Sequence, residues 1–303
     1  VSRHGDVKKD VFKNLAPSVY LKKWRKPAVS LWRLIRGEHG VLAALASTAS
    51  YLVAGGRDPV ALTLLAASTF LAEAGLFAHN DLANLEEDKI NRPDAPLVTG
   101  AVDINTARVV AYGSLASGAA AAALLGPAPL AIYASAAALG VWYNARLKRV
   151  PVVGNFVVAF LTSMTYIYGM AAAGGASLVL ILLFLSSLVA NLGRELVKVA
   201  MDYEGDMRAG VRTLAVIVGP QKAAALGAAV TLASVVFGLA LTYAAFSQGL
   251  LFLALGAAAT SLSLIYLSLI ALRGRWKKYR DGTLAAFGVT LLALITEAVW
   301  RLF

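Results

Sequence analysis

Cysteine is absent from this sequence, which excludes disulfides and thiolate metal sites and leaves the redox compartment open. Charge is scarce as well. Asp, Glu, Lys and Arg make up 15% of the 303 residues, against roughly 25% in an ordinary soluble domain. The charge present is unbalanced, with 28 Lys and Arg against 17 Asp and Glu. Asn and Gln are sparse beside the missing Cys, a composition that leans towards a thermophile. A secretory signal is also missing from the start. Residues 1–27 are basic and polar, with Lys8, Lys9, Lys13, Lys22, Lys23, Arg25 and Lys26. They are set apart as an N-terminal arm, part of it resembling an expression scar, and 28–303 is read as one domain.

What fills the chain is apolar: 59% of its residues are hydrophobic. They fall in segments at about 30–55, 60–80, 104–125, 128–145, 152–173, 177–198, 220–245, 249–272 and 283–302, several near the ~20 residues that a helix needs to cross a bilayer. Short breaks (Gly55 to Pro59, Gly126-Pro127, Gly174-Gly175, Ser247 to Gly249) alternate with long charged ones (Asn80 to Asp103, Arg146 to Pro151, Lys198 to Pro220, Arg273 to Gly282). With the N-terminus on one face, that face takes every Lys and Arg except Arg57 and Arg301. The positive-inside rule then puts the N-terminus in the cytoplasm and the C-terminus outside. A soluble bundle has no reason to sort charge this way, and the net +11 is explained by topology without nucleic acid. The expected fold is all-α and integral to the membrane: nine transmembrane helices in a compact bundle around a central cavity. Abundant Ala, Gly and Ser would let those helices pack closely.

Two polar clusters stand where the second and sixth spans end, both on the cytoplasmic side. The first is Asn80, Asp81, Asn84 and Asp88, in which Asn80, Asn84 and Asp88 are four apart and would stack along one helix face. The second is Asp202 and Asp206, with Glu195 and Lys198 one to two turns earlier. Crowded oxygens without His or Cys suit a hard cation such as Mg²⁺, which takes one or two carboxylates and completes its shell with water and substrate phosphate. Lys89, Arg92, Lys198, Arg208 and Arg212 are near enough in sequence to neutralise phosphate charge. Glu73 lies two turns before Asn80, and Glu297 sits in the last span. A carboxyl at membrane depth faces a bundle interior or a cavity, so each is either a structural contact or support for the clusters.

The run Asn80-Asp81-Leu82-Ala83-Asn84-Leu85-Glu86-Glu87-Asp88 resembles the NDxxDxxxD signature of the UbiA superfamily of intramembrane prenyltransferases. Asn91 to Gly100 is similar to that family's Pro-rich exit, and Arg194 to Lys198 with Asp202-Tyr203-Glu204-Gly205-Asp206 resembles its second Asp-rich motif. Arg212-Thr213-Leu214-Ala215 with Gly219, and Tyr143 with Leu147-Lys148-Arg149, continue the likeness over most of the chain. Three positions depart from the pattern: Asn84 replaces a common Asp, Val199 another, and Ala95 a usual Arg. An amide oxygen still ligates Mg²⁺, so on these grounds Asn84→Asp is tolerated.

The resemblance implies prenyl transfer from an isoprenyl diphosphate held through Mg²⁺ by Asn80, Asp81, Asn84, Asp88, Asp202 and Asp206. Arg36, Arg92, Lys148, Lys198 and Arg212 would bind substrate, and Tyr143 would steady an allylic cation. The acceptor it implies is a lipid or an aromatic ring. Geranylgeranylglyceryl phosphate, of the family's archaeal ether-lipid branch, comes first, on the pattern of Arg194-Glu195-Leu196, Asp202 to Asp206 and Arg212 to Val216, the absent Cys and the thermophile-like composition. Lys22, Lys23, Arg25, Lys26, Arg33 and Arg36 either meet an acceptor phosphate or serve topology and lipid headgroups. 4-Hydroxybenzoate of quinone synthesis is second. A transporter would place its charged site near the midplane, which these clusters do not. A CDP-alcohol phosphotransferase would continue beyond Asp281-Gly282 in a pattern that is missing here. Besides membrane lipids, no protein partner is implied.

Overall fold

The computed structural model describes residues 27–208 and 210–303. Its elements are helical: α1 (Pro27–Leu34), α2 (Gly37–Val53), α3 (Pro59–Ala83), α4 (Leu85–Asn91), α5 (Ile104–Leu125), α6 (Pro127–Ala145) and α7 (Val153–Ala172) in the first part of the chain. They are followed by α8 (Leu178–Met201), α9 (Tyr203–Arg208), α10 (Leu214–Val218), α11 (Pro220–Ser247), α12 (Leu251–Leu272) and α13 (Trp276–Trp300). A single 3₁₀ turn at Leu147–Arg149 joins α6 to α7.

Local chemistry sets the boundaries. Proline opens α3, α6 and α11, where its missing N–H costs nothing. Asp58 and Asp103 cap α3 and α5 by accepting from the Val60 and Thr106 amides, each at 2.9 Å. The short breaks expected from the sequence all fall between long helices, and the long charged connections hold α4, the 3₁₀ turn, α9 and α10.

Among the described residues, α3, α5, α7, α8, α11, α12 and α13 are long and apolar enough to cross a membrane. The segment expected as one helix over 30–55 is instead two, α1 and α2, because Arg36 turns left-handed between them (φ 46°, ψ 57°). Its sequence, Leu34-Ile35-Arg36-Gly37, carries no breaker stronger than the glycine.

The helices of 17 residues or more form a closed ring in sequence order. Each packs on the next, α2 on α3, α3 on α5, and so on through α12 on α13, and α13 returns to α2. Contacts between α2 and α7 and between α8 and α13 tie the ring across its middle. At the crossing of α8 on α11, Gly193 and Gly227 face each other so closely that a Cβ on either would strike the opposite backbone. Hydroxyl pairs add interhelical hydrogen bonds: Ser47 with Thr69 (2.9 Å), Ser68 with Tyr168 (2.7 Å) and Thr260 with Thr290 (2.8 Å).

Candidate active site

The C-terminal end of α3 carries Asp81 into the interior, 1% exposed. A buried carboxylate needs partners. Its Oδ1 accepts from Arg36 at 3.3 Å and from Arg92 at 3.2 Å. Arg92 also reaches Asp88 at 3.5 Å, while the Arg36 guanidinium lies 4.4 Å from the centre of the Phe77 ring. The left-handed turn at Arg36 therefore swings a cation from the α1–α2 junction onto the first motif. Asp81 Oδ2 is buried without a hydrogen-bond partner, a free hard oxygen of the kind Mg²⁺ takes. Among the described residues no three Asp, Glu or His side chains converge as a ready-made cage.

Asn80 and Asn84 do stack as their spacing predicts. Asn84 donates its amide to Asn80 Oδ1 at 3.1 Å, and Asn80 donates to Asn144 Oδ1 at 2.8 Å. Lys148 donates to Asn84 Oδ1 and, at 3.1 Å, to Glu87, which Arg149 also grips at 2.6 Å. Burial works against the Glu87 carboxylate, but hydrogen bonds and charge from Lys148 and Arg149 prevail and hold it below the usual range. Asp88 leaves the stack, because the chain breaks at Asn84 and α4 turns it towards Arg92. Burial pushes the Asp88 carboxyl up, opposed by Arg92.

The second motif follows α8. Asp202 is that helix's exposed C-cap, and Asp206 follows on α9, its amide bonded to Asp202 O at 2.9 Å. Burial pushes the Asp206 carboxyl up, and the Asp202 charge adds to it. Beside α8 lies a cleft of about 70 Å³ walled by Tyr143, Lys148, Arg149, Glu195, Arg212 and Thr213. Lys148 thus belongs both to this cleft and to the Asn84 cluster. Asp202 and Asp206 are not among the cleft's walls.

Other expected residues lie elsewhere. Lys89 and Arg208 pair with exposed Glu86 (2.6 Å) and Glu204 (3.6 Å) on the surface, away from Asp81. Lys198 is half-exposed and pairs with Glu195 at 3.4 Å. Arg33 holds Asp94 at 2.6 Å, and Lys22, Lys23, Arg25 and Lys26 lie outside the described residues. Glu73 lies in the field of Arg36. Glu297 is structural: its Oε2 accepts from the Phe252 and Leu253 amides at 2.9 and 3.3 Å, capping α12 from α13. Asn144 was missed, since a single Asn after Tyr143 carries no pattern and its partners are distant in sequence.

The UbiA prenyltransferase family model matches residues 41–294. Digeranylgeranylglyceryl phosphate synthase of Methanopyrus kandleri is 34% identical, over 85% of this chain and 94% of its own. The enzyme of that name from Methanoculleus marisnigri is 38% identical, over 63% of this chain and 68% of its own. Among solved structures, a digeranylgeranylglyceryl phosphate synthase in membranes superposes with a TM-score of 0.76 at 24% identity, covering 90% of this chain and 99% of that one. A UbiA homologue from Archaeoglobus fulgidus bound to GPP and Mg²⁺ gives 0.68 at 21% identity, covering 90% and 99%. The family match along most of the chain, with relatives above 30% identity, makes this an integral membrane prenyltransferase belonging to the UbiA prenyltransferase family.

Proposed function

We propose that the protein transfers a geranylgeranyl group from its diphosphate to geranylgeranylglyceryl phosphate at the cytoplasmic face of the cell membrane. The observation that carries the site is buried Asp81, with Arg36 and Arg92 on one oxygen and no partner on the other. The acceptor rests on the named relatives. We take residues 28–303 as one domain of nine spans, with α2 and α6 added to the seven longer helices, residues 1–27 as a basic arm and the C-terminus outside.

Asp81, Asp88, Asp202 and Asp206 would hold Mg²⁺ with the amide oxygens of Asn80 and Asn84, and the bound ion supplies neutralisation of the diphosphate charge. The rest is done by the chain's own side chains. Arg36, Arg92, Lys148 and Arg212 grip the diphosphate oxygens and stabilise charge as the carbon–oxygen bond breaks. Lys198, at the rim, steers the anion in. Tyr143 faces the cleft and offers its ring to the allylic cation. The apolar helices around the site would keep water from quenching that cation.

The test is a Mg²⁺-dependent transfer assay on purified protein with geranylgeranyl diphosphate and either geranylgeranylglyceryl phosphate or 4-hydroxybenzoate. Product from the glyceryl phosphate is expected. Product from the aromatic acceptor alone would move the protein to quinone synthesis. Full activity in both Asp81→Ala and Asp202→Ala would remove the site.

A further inference from the structure

The amide chain in the first motif has a direction, and one atom sets it. Asn144, 4% exposed at the end of α6, donates through Nδ2 to the Leu76 carbonyl at 3.0 Å and to His79 Nδ1 at 3.2 Å. A backbone carbonyl can only accept, so Asn144 cannot flip without setting oxygen against oxygen. Its Oδ1 must then face Asn80, which donates to it. Asn80 is in turn obliged to present Oδ1 to Asn84, which donates to that oxygen and turns its own Oδ1 to Lys148. Three amides are thereby locked in one orientation from Leu76 to Lys148.

We infer that Asn144 is a positioning residue: acting through Asn80, it fixes which end of Asn84 meets Lys148, and it requires an amide rather than a carboxylate at position 84. The inference builds on the proposed site. It reverses the expectation drawn from the motif alone, in which Asn84→Asp is tolerated. An ionised Asp at 84 has no N–H for Asn80 Oδ1, and the two oxygens would meet at the present 3.1 Å separation. Asn80 could relieve that contact by flipping, but Asn144 forbids the flip. Attraction between the new carboxylate and Lys148 acts on the other oxygen and leaves this clash in place. Remove Asn144 and Asn80 is free to turn its amide towards position 84.

The experiment is a double-mutant cycle of wild type, Asn84→Asp, Asn144→Ala and the pair, read as kcat and KM for transfer and as melting midpoint in detergent. Asn84→Asp alone is expected to lower kcat more than it raises KM. In the Asn144→Ala background the same change should cost about tenfold less, the size of coupling found within one hydrogen-bond network. Equal effects in the two backgrounds, in kcat and in the midpoint, would overturn the inference. A purely structural Asn144 would lower the midpoint without relieving Asn84→Asp. If wild type turns over neither acceptor, the proposed function fails while the midpoints still decide on the amide lock: a smaller drop for Asn84→Asp in the Asn144→Ala background supports it, and equal drops overturn it.

Discussion

Asp81→Asn preserves volume but removes the charge that Arg36 and Arg92 share, leaving two cations facing each other across a neutral amide. Both arginines are partly exposed, so the stability cost is moderate, about 1–3 kcal/mol. The activity cost is larger, about 10²-fold or more in kcat, as for loss of one preorganised charge-stabilising group. A denaturation curve beside a rate measurement separates the two. Arg92→Lys tests the same pair from the other side: it keeps the charge but loses the guanidinium whose Nη1 reaches both Asp81 and Asp88, and KM for the diphosphate should rise. Much at this scale was legible. Asp88 declares itself by its four-residue spacing from Asn80 and Asn84, Asp81 by standing in the same cluster, and Lys148 only through the resemblance to a known family. Asn144 does not, because its meaning lies in the Leu76 carbonyl, 68 residues away.

Among elements, the α8–α11 crossing has little room to give. Gly193→Val places a branched side chain against the Gly227 carbonyl and Thr231. The helices must separate, at about 1–3 kcal/mol for overpacking. Gly193 directly precedes Arg194 and Glu195, so the cleft wall moves with the helix, and transfer activity should fall alongside the melting midpoint. A second element-level test concerns α12, which opens after Leu250 with no cap of its own. Glu297→Ala leaves the buried Leu253 amide and the part-buried Phe252 amide without their acceptor, costing about 1–3 kcal/mol, and Glu297→Gln should recover part of that loss in the same melting assay. The spans and their breaks were visible as apolar runs and punctuation. The split of the first span was hidden because left-handed Arg36 is held by tertiary pairing with Asp81, and the cap on α12 because its carboxylate comes from another helix.

Over the whole molecule, the sorting of cations onto one face makes a direct prediction of topology. The chain has no cysteine, so single cysteines introduced by Ser247→Cys and Lys277→Cys report cleanly. In sealed inside-out vesicles an impermeant thiol reagent should label the second and spare the first; the reverse pattern would invert the orientation. The ring described above carries a further consequence, one of timing. A chain emerging from the ribosome delivers its elements in order, yet α2 finds one of its ring neighbours only in α13. Until that helix arrives, one flank of α2 must stay against lipid or a chaperone. The first amides of α12 wait as well, since Glu297 has not yet been made. A nascent chain halted after residue 272 is therefore an open arc with two unfinished ends, which only α13 can close.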